Sequence, residues 1–182
     1  MIAGTYALSE RKRLFIIAVV LSAISIIAAV LVLVFQQRWA VISQHASVVV
    51  LITFFAASIL GYVFRSGSVT MDRIFAAVCV YLLIGFAWTF AYALVEEVAP
   101  GSFDSLHDTG PTDYVSHILG LRYFSFMTLT TVGYGDIVPR SATARTMAVI
   151  EAVMGQIYLA VLVARLVGLH IVYTIGMQSR RD

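Results

Sequence analysis

The segment Thr128-Leu129-Thr130-Thr131-Val132-Gly133-Tyr134-Gly135-Asp136 sets two glycines, a tyrosine and a carboxylate inside a very apolar chain. Its reading depends on the solvent around it. Of 182 residues, 60% are hydrophobic and 12% charged, with a mean hydropathy of +0.93, whereas soluble domains carry about 25% charged residues. Leu, Ile, Val and Phe come in long runs rather than at helical or strand periods, so they cover lipid-facing surface as well as a core. The chain reads as a membrane protein.

Immediately before the segment, Ile118 to Thr130 is apolar and aromatic but only 13 residues long. At about 1.5 Å per residue it reaches roughly 20 Å, too short to cross the hydrocarbon. It must enter and return. Backbone that leaves helical form at membrane depth is tolerated only where it is buried in protein or lines a water-filled cavity, so the residues after Thr130 are predicted to line one. On either side lie apolar stretches of spanning length, Ile74 to Val95 and Thr143 to Ile175, the latter interrupted by Glu151, Arg165 and His170. Further out, Leu14 to Phe35 and Ala46 to Phe64 are also long enough, which makes four spans. The first follows Arg11, Lys12 and Arg13 as a signal peptide would, but its apolar run exceeds the roughly 7 to 15 residues of such a region and reads as a retained helix.

Arg11, Lys12, Arg13, Arg65, Arg73, Arg180 and Arg181 fall on one side if both termini share it, and the positive-inside rule makes that side the cytoplasm. The localisation expected is the plasma (inner) membrane, multi-pass, with both termini cytoplasmic. The opposite side receives Arg38, in the first connection, and the stretch from Glu96 to Ser141. Its acidic residues, Glu96, Glu97, Asp104, Asp108, Asp113 and Asp136, outnumber Arg122 and Arg140. Within it, Pro100 to Pro111 is rich in Gly, Ser, Asp and Pro and reads as an extracellular loop. Salt screens such exposed charges within about 8 Å, so a solvated turret is the preferred reading.

Other chemistries find little support. Cys79 has no partner for an intrachain disulfide and reads as a small buried hydrophobe. His45, His107, His117 and His170 are dispersed without zinc-ligand spacing. No basic block is interleaved with aromatics as nucleic-acid binding would require. The spans lack the paired carboxylates, or nucleophile and base, of an intramembrane enzyme. Little sequence follows the last span, so no cytoplasmic ligand-binding domain is expected in this chain.

Thr131-Val132-Gly133-Tyr134-Gly135 matches the filter sequence of potassium channels. Ile74 to Ile175 as a whole resembles the bacterial potassium channel family with a two-helix pore: outer helix, turret, re-entrant pore helix, filter, and an inner helix containing Met154-Gly155-Gln156. Leu14 to Phe64 lies outside the matched region. The resemblance implies that the carbonyls of Thr131, Val132, Gly133 and Tyr134, with the Thr131 hydroxyl, are the K+ ligands, while the Val132 and Tyr134 side chains pack behind the filter.

The chemistry agrees with the resemblance. Backbone carbonyls replace a potassium ion's water shell only if successive residues point their oxygens at one axis. Gly133 and Gly135 take positive φ without a Cβ penalty, letting alternate peptides turn. One loop supplies a quarter of each oxygen ring, so a homotetramer is expected. The C-terminal end of the pore helix near Thr130 would aim partial negative charge at the central cavity.

Several neighbours are candidate supports for the filter: Thr130, Asp136, Tyr123, Phe124, Met127 and Glu151. Tyr123 and Phe124 occupy positions that in the family form an aromatic collar, with interfacial or packing roles as the alternative. Met127 stands where some members carry a glutamate that bonds the aspartate after the filter, so inactivation dependent on that pair is not expected. Glu151, an ionisable group at depth, is a functional candidate by default, bonding behind the filter or pore helix of its own or a neighbouring subunit. The alternative is an ion pair with Arg145 or Arg122. Gly155 matches the family's gating-hinge glycine, although glycine also serves close helix packing. Gln156, Leu159, Val163 and Val167 recur at spacings of three and four and are candidates to line the cavity. Arg165 reads as snorkelling to headgroups rather than as a gating residue.

The expected fold is an all-α membrane protein: four transmembrane helices plus a re-entrant pore helix and filter loop, assembled as a tetramer. The expected domains are a cytoplasmic N-terminus (1–13), two extra helices (14–73), a pore domain (74–176) and a cytoplasmic C-terminus (177–182). The pore domain divides into outer helix (74–95), turret (96–117), pore helix (118–130), filter (131–136) and inner helix (143–175). The expected function is passive, potassium-selective conduction without strong voltage dependence. A weakly selective cation channel and a pore subunit of a potassium uptake transporter are the alternatives. K+ in the filter is the cargo, and no organic cofactor is expected. Expected partners are further copies of the chain and membrane lipids, with an unidentified regulatory ligand or subunit left open.

Overall fold

The computed structural model describes residues 2–64, 70–104 and 114–178. Arg65, His107, Asp108, Asp113, Arg180 and Arg181, together with the turret stretch 105–113, lie outside the described residues.

The chain is an all-α membrane protein. Its helices are α1 (Ile2–Phe35), α2 (Arg38–Val63), α3 (Met71–Val98), α4 (Tyr114–Leu129) and α5 (Ala142–Gln178). Two short strands, β1 (Phe103–Asp104) and β2 (Val138–Pro139), pair antiparallel, Phe103 opposite Pro139 and Asp104 opposite Val138. Among the described residues, four helices are long and apolar enough to span a bilayer: Lys12–Phe35, Arg38–Val63, Met71–Val98 and Ala142–Arg165. At 16 residues, α4 reaches about 24 Å and falls short of the roughly 30 Å hydrocarbon thickness.

The helices outrun the apolar stretches that identify them, because a helix continues through polar residues at the membrane surface. Backbone hydrogen bonding stops only at a turn or cap. Thus α1 extends back to Ile2, and α1 and α2 are separated by Gln36 and Gln37 alone. Gln36 makes the reversal with a φ of 48° while its N–H still bonds the Val32 carbonyl at 3.0 Å. Arg38, expected in a loop, is instead the first residue of α2. Its guanidinium donates to the carbonyls of Glu97 and Val98, capping the C-terminal end of α3, where free carbonyls and the helix dipole favour a cation.

The core lies where α3, β1, α4 and α5 meet. Tyr92 and Ala93 of α3, Phe103, Leu121 and Phe124 of α4, and Ala144 of α5 form one buried cluster. The rings of Tyr92, Phe103 and Phe124 meet edge-on at centroid distances of 5.1 to 5.3 Å, the geometry aromatic quadrupoles favour. Cys79, expected to be buried, is exposed on α3, since an apolar run in lipid does not distinguish an inward face from an outward one.

Candidate functional site

The end of α4 leads into the segment expected to be the filter, Thr131 to Asp136. The Val132 N–H bonds the Met127 carbonyl at 2.9 Å, and the Thr131 N–H bonds the Thr128 carbonyl at 2.9 Å. These are the paired bonds of a Schellman ending, with Thr131 at the left-handed position. Thr131 has φ 59°, uncommon for a β-branched residue, which stores conformational strain at the start of this segment. Gly133 and Gly135 also have positive φ, 55° and 80°. Left-handed backbone therefore recurs at every second residue from 131 to 135.

The carbonyl of Met127 accepts from both Val132 and Gly133, so the Met127 backbone, whatever its side chain, holds the turn after α4. The Thr130 hydroxyl turns back to the Phe126 carbonyl at 2.6 Å. From α5, Gln156 Nε2 donates to Thr131 Oγ1 at 3.1 Å, joining a candidate cavity residue to the first filter residue.

Tyr123 and Phe124, expected as one collar, part company. Phe124 is buried in the core cluster, whereas Tyr123 is exposed and its hydroxyl bonds the Asp136 carboxylate. That bond, helped by partial desolvation, pushes the Tyr123 phenol above its ordinary value. Asp136 thus finds a partner one helical turn before Met127.

Glu151 is fully buried in α5. Tyr92 of α3 donates its hydroxyl to Oε2 at 2.5 Å, and Ser125 of α4 lies 2.5 Å from Oε1 and 2.9 Å from the Gly85 carbonyl. One carboxyl therefore joins α3, α4 and α5. Neither Arg145 nor Arg122 pairs with it; Arg145 bonds the Pro139 carbonyl at 3.2 Å.

A second set of bonds lies deeper. The Tyr81 hydroxyl donates to the Leu129 carbonyl at 3.2 Å, Tyr158 donates to the Ala77 carbonyl at 2.6 Å, and the two rings stack at 5.7 Å. A Cβ on Gly155 would overlap the Leu129 carbonyl, which gives this glycine a packing reason besides the expected hinge. Leu159, Val163 and Val167 follow Gln156 along one exposed face of α5. Arg165, expected to snorkel, lies half-buried with its guanidinium 4.7 Å from the centre of the Phe64 ring, a cation–π contact between α5 and the end of α2. The His170 side chain lies outside the described residues.

After Asp136, the Arg140 N–H bonds the Ser102 carbonyl at 2.7 Å and its side chain pairs with Asp104, tying the chain after residue 136 to β1. At the other end of α4, Tyr114 lies 3.0 Å from Nε2 of buried His45 on α2. Burial and the Glu97 carboxylate push the Tyr114 phenol up. α2 thus touches α4 directly.

Sequence reasoning missed Tyr92, Ser125, Tyr81, Tyr158 and the His45–Tyr114 contact. The available signal was a tyrosine hydroxyl at membrane depth, which must find a partner when buried.

Residues 103–170 match the family model described as Ion channel. Protein LctB of Bacillus caldotenax is 31% identical over 98 residues, covering 54% of this chain and 72% of LctB. Two-pore potassium channel 1 of Arabidopsis thaliana is 32% identical over 95 residues, 52% of this chain and 22% of that protein. Two pore potassium channel a of Oryza sativa subsp. japonica is 34% identical over 76 residues, 42% and 21% respectively. The match therefore spans about a fifth of each plant channel's length and nearly three quarters of LctB. No solved structure matches the chain.

Proposed function

Because the chain belongs to the potassium-channel family of ion channels, we propose that it conducts K+ passively and selectively through a pore on the axis of a homotetramer. The membrane proposed is the plasma (inner) membrane, with both termini cytoplasmic. The observation that carries this reading is the alternation of positive φ at Thr131, Gly133 and Gly135 directly after a half-length helix. Carbonyls turned to one side supply a quarter of each oxygen ring, and four chains complete it. The Tyr134 side chain is 74% exposed and Val132 50% exposed in the single chain, and neighbouring chains of a ring would cover such apolar surface.

In this reading Thr131 to Gly135 hold the ion, while Thr130, Met127 and the Tyr123–Asp136 pair hold the filter's ends. Gln156, Leu159, Val163 and Val167 line the cavity below, and Gly155 serves as the hinge of the inner helix as well as a packing glycine. Glu151 supports the pore helix within its own chain through Ser125. Alignment of the α4 dipole toward the cavity favours a cation there.

The test is a reversal-potential measurement on the purified protein in bilayers under opposed K+ and Na+ gradients. A potential close to the K+ equilibrium value is expected, and one near zero would replace selective with weakly selective conduction. Gly133→Ala places a Cβ where φ is positive and should abolish selectivity or current. Flux in liposomes without ATP or a coupled ion separates a channel from a transporter.

A further inference from the structure

A cavity of about 240 Å³ lies between the extra helices and the pore region. Its walls include Thr53 and Ala56 of α2, Ala87, Trp88 and Ala91 of α3, and Met154 of α5. These residues fall near the middles of the spans Arg38–Val63, Met71–Val98 and Ala142–Arg165, so the cavity sits near the bilayer midplane. The lining is apolar apart from the Thr53 hydroxyl and the indole N–H. A smaller engineered cavity of roughly 150 Å³ with apolar walls stays dry and takes up benzene or xenon. A site of this size and lining offers water too few partners and is not expected to hold it.

Depth decides the occupant. Thr53 is exposed at the rim, and the α2 surface beside it carries exposed Val50 and Phe55. At the midplane the medium beyond such a rim is hydrocarbon, which rules out a headgroup or a charged ligand on desolvation grounds. We propose that this cavity is a binding site for one lipid acyl tail, and that its occupancy regulates conduction through Met154. The coupling is short. Met154 precedes Gly155, whose backbone abuts the Leu129 carbonyl at the end of α4, two residues before the first filter residue. A tail against Met154 restrains the inner helix where it supports the pore helix. The regulatory half rests on the channel reading above; the binding half does not.

The test uses the whole chain in detergent. The chain has two tryptophans, so Trp39→Phe leaves Trp88 as the reporter. Titration with a fatty acid brominated at mid-chain is expected to quench Trp88 to a plateau at one tail per chain. Ala56→Phe, from the α2 wall, and Ala87→Phe, from the α3 wall, should remove the saturable component. Quenching that never saturates, or that persists unchanged in both filled variants, would mean general hydrocarbon contact and overturn the site. Absence of quenching would mean that a helix of a neighbouring copy closes the cavity, which also overturns it. If neither filled variant folds, the presence or absence of the plateau decides.

Potassium flux in liposomes is the second readout. It should respond to the same fatty acid in the unfilled protein and not in the filled variants. Saturable quenching with flux that ignores the fatty acid would overturn the regulatory half. Saturable quenching with no flux under any condition would leave the site standing and remove the channel reading, while flux without quenching does the reverse.

Discussion

The main-chain carbonyl of Leu129, the last residue of α4, occupies the space into which a Cβ on Gly155 of α5 would point. Leu129 is fully buried, and the same carbonyl accepts the Tyr81 hydroxyl. The end of α4 is thus held between α3 and α5, and α5 runs unbroken past the contact from Ala142 to Gln178. Glycine is required here by distance, whatever bending it also permits.

Gly155→Ala should therefore injure the filter as well as gating. The added methyl must push Leu129 or α5 aside, an overpacking cost of about 1–3 kcal/mol. Reduced K+ over Na+ preference, or reduced thermal stability of the purified protein, is expected. Normal selectivity and stability with altered open probability alone would restore a pure hinge.

Glu151 gives a graded test of the buried network. Glu151→Ala leaves the Tyr92 and Ser125 hydroxyls without their carboxyl partner and opens a cavity, costing roughly 2–5 kcal/mol. Glu151→Gln keeps the shape and an acceptor oxygen, so its loss should be clearly smaller. Thermal unfolding in one detergent ranks the two; equal losses would show that the carboxyl itself, rather than its hydrogen-bonding shape, holds the three helices.

Tyr123→Phe removes the hydroxyl that bonds Asp136. The filter's outer end should lose order, read as a changed rate of current decay during sustained opening. Because the phenol is raised, the proton that makes the bond is fully present below the ordinary value near 10 and leaves only as pH rises through the raised value. The decay rate should therefore not vary with ionisation of this group near neutrality. The absorbance titration of the variant should lack one late-ionising tyrosine. An unchanged alkaline limb would show that the bond is not formed in the bilayer.

The four spans and the short helix were legible because the bilayer imposes length, and the left-handed backbone at Gly133 and Gly135 was legible because glycine tolerates it cheaply. Helix ends were less legible: Arg38 looks like a loop residue to any count of apolar residues, yet it caps α3 from the first turn of α2. Glu151 drew notice as a charge at depth, but its partners did not, since Tyr92 and Ser125 lie 59 and 26 positions away and nothing local marks them. The split of Tyr123 from Phe124 follows from one helical step of about 100° between adjacent residues, which sends one ring to the core and the other to the filter's rim.

Voltage should gate this protein weakly, even though two helices precede the pore as they would in a sensor. Each elementary charge crossing the membrane field contributes about 2.3 kcal/mol per 100 mV, and steep gating needs several per subunit. The stretches Leu14 to Phe35, Ala46 to Phe64 and Ile74 to Val95 contain no Lys, Arg, Asp or Glu. Arg38 is held at the C-terminal end of α3 by the Glu97 and Val98 carbonyls, and Arg165 is stacked on Phe64, so both are tied to neighbouring helices. Glu151 is bonded on both oxygens within the pore region and cannot travel without breaking those bonds. The extra helices are instead tied to the pore helix by the His45–Tyr114 contact and border the apolar cavity, a placement suited to sensing the bilayer rather than the field. Open probability measured between roughly −100 and +100 mV should change only gradually, and a steep curve demanding several gating charges per subunit would require a mobile charge that these contacts do not leave.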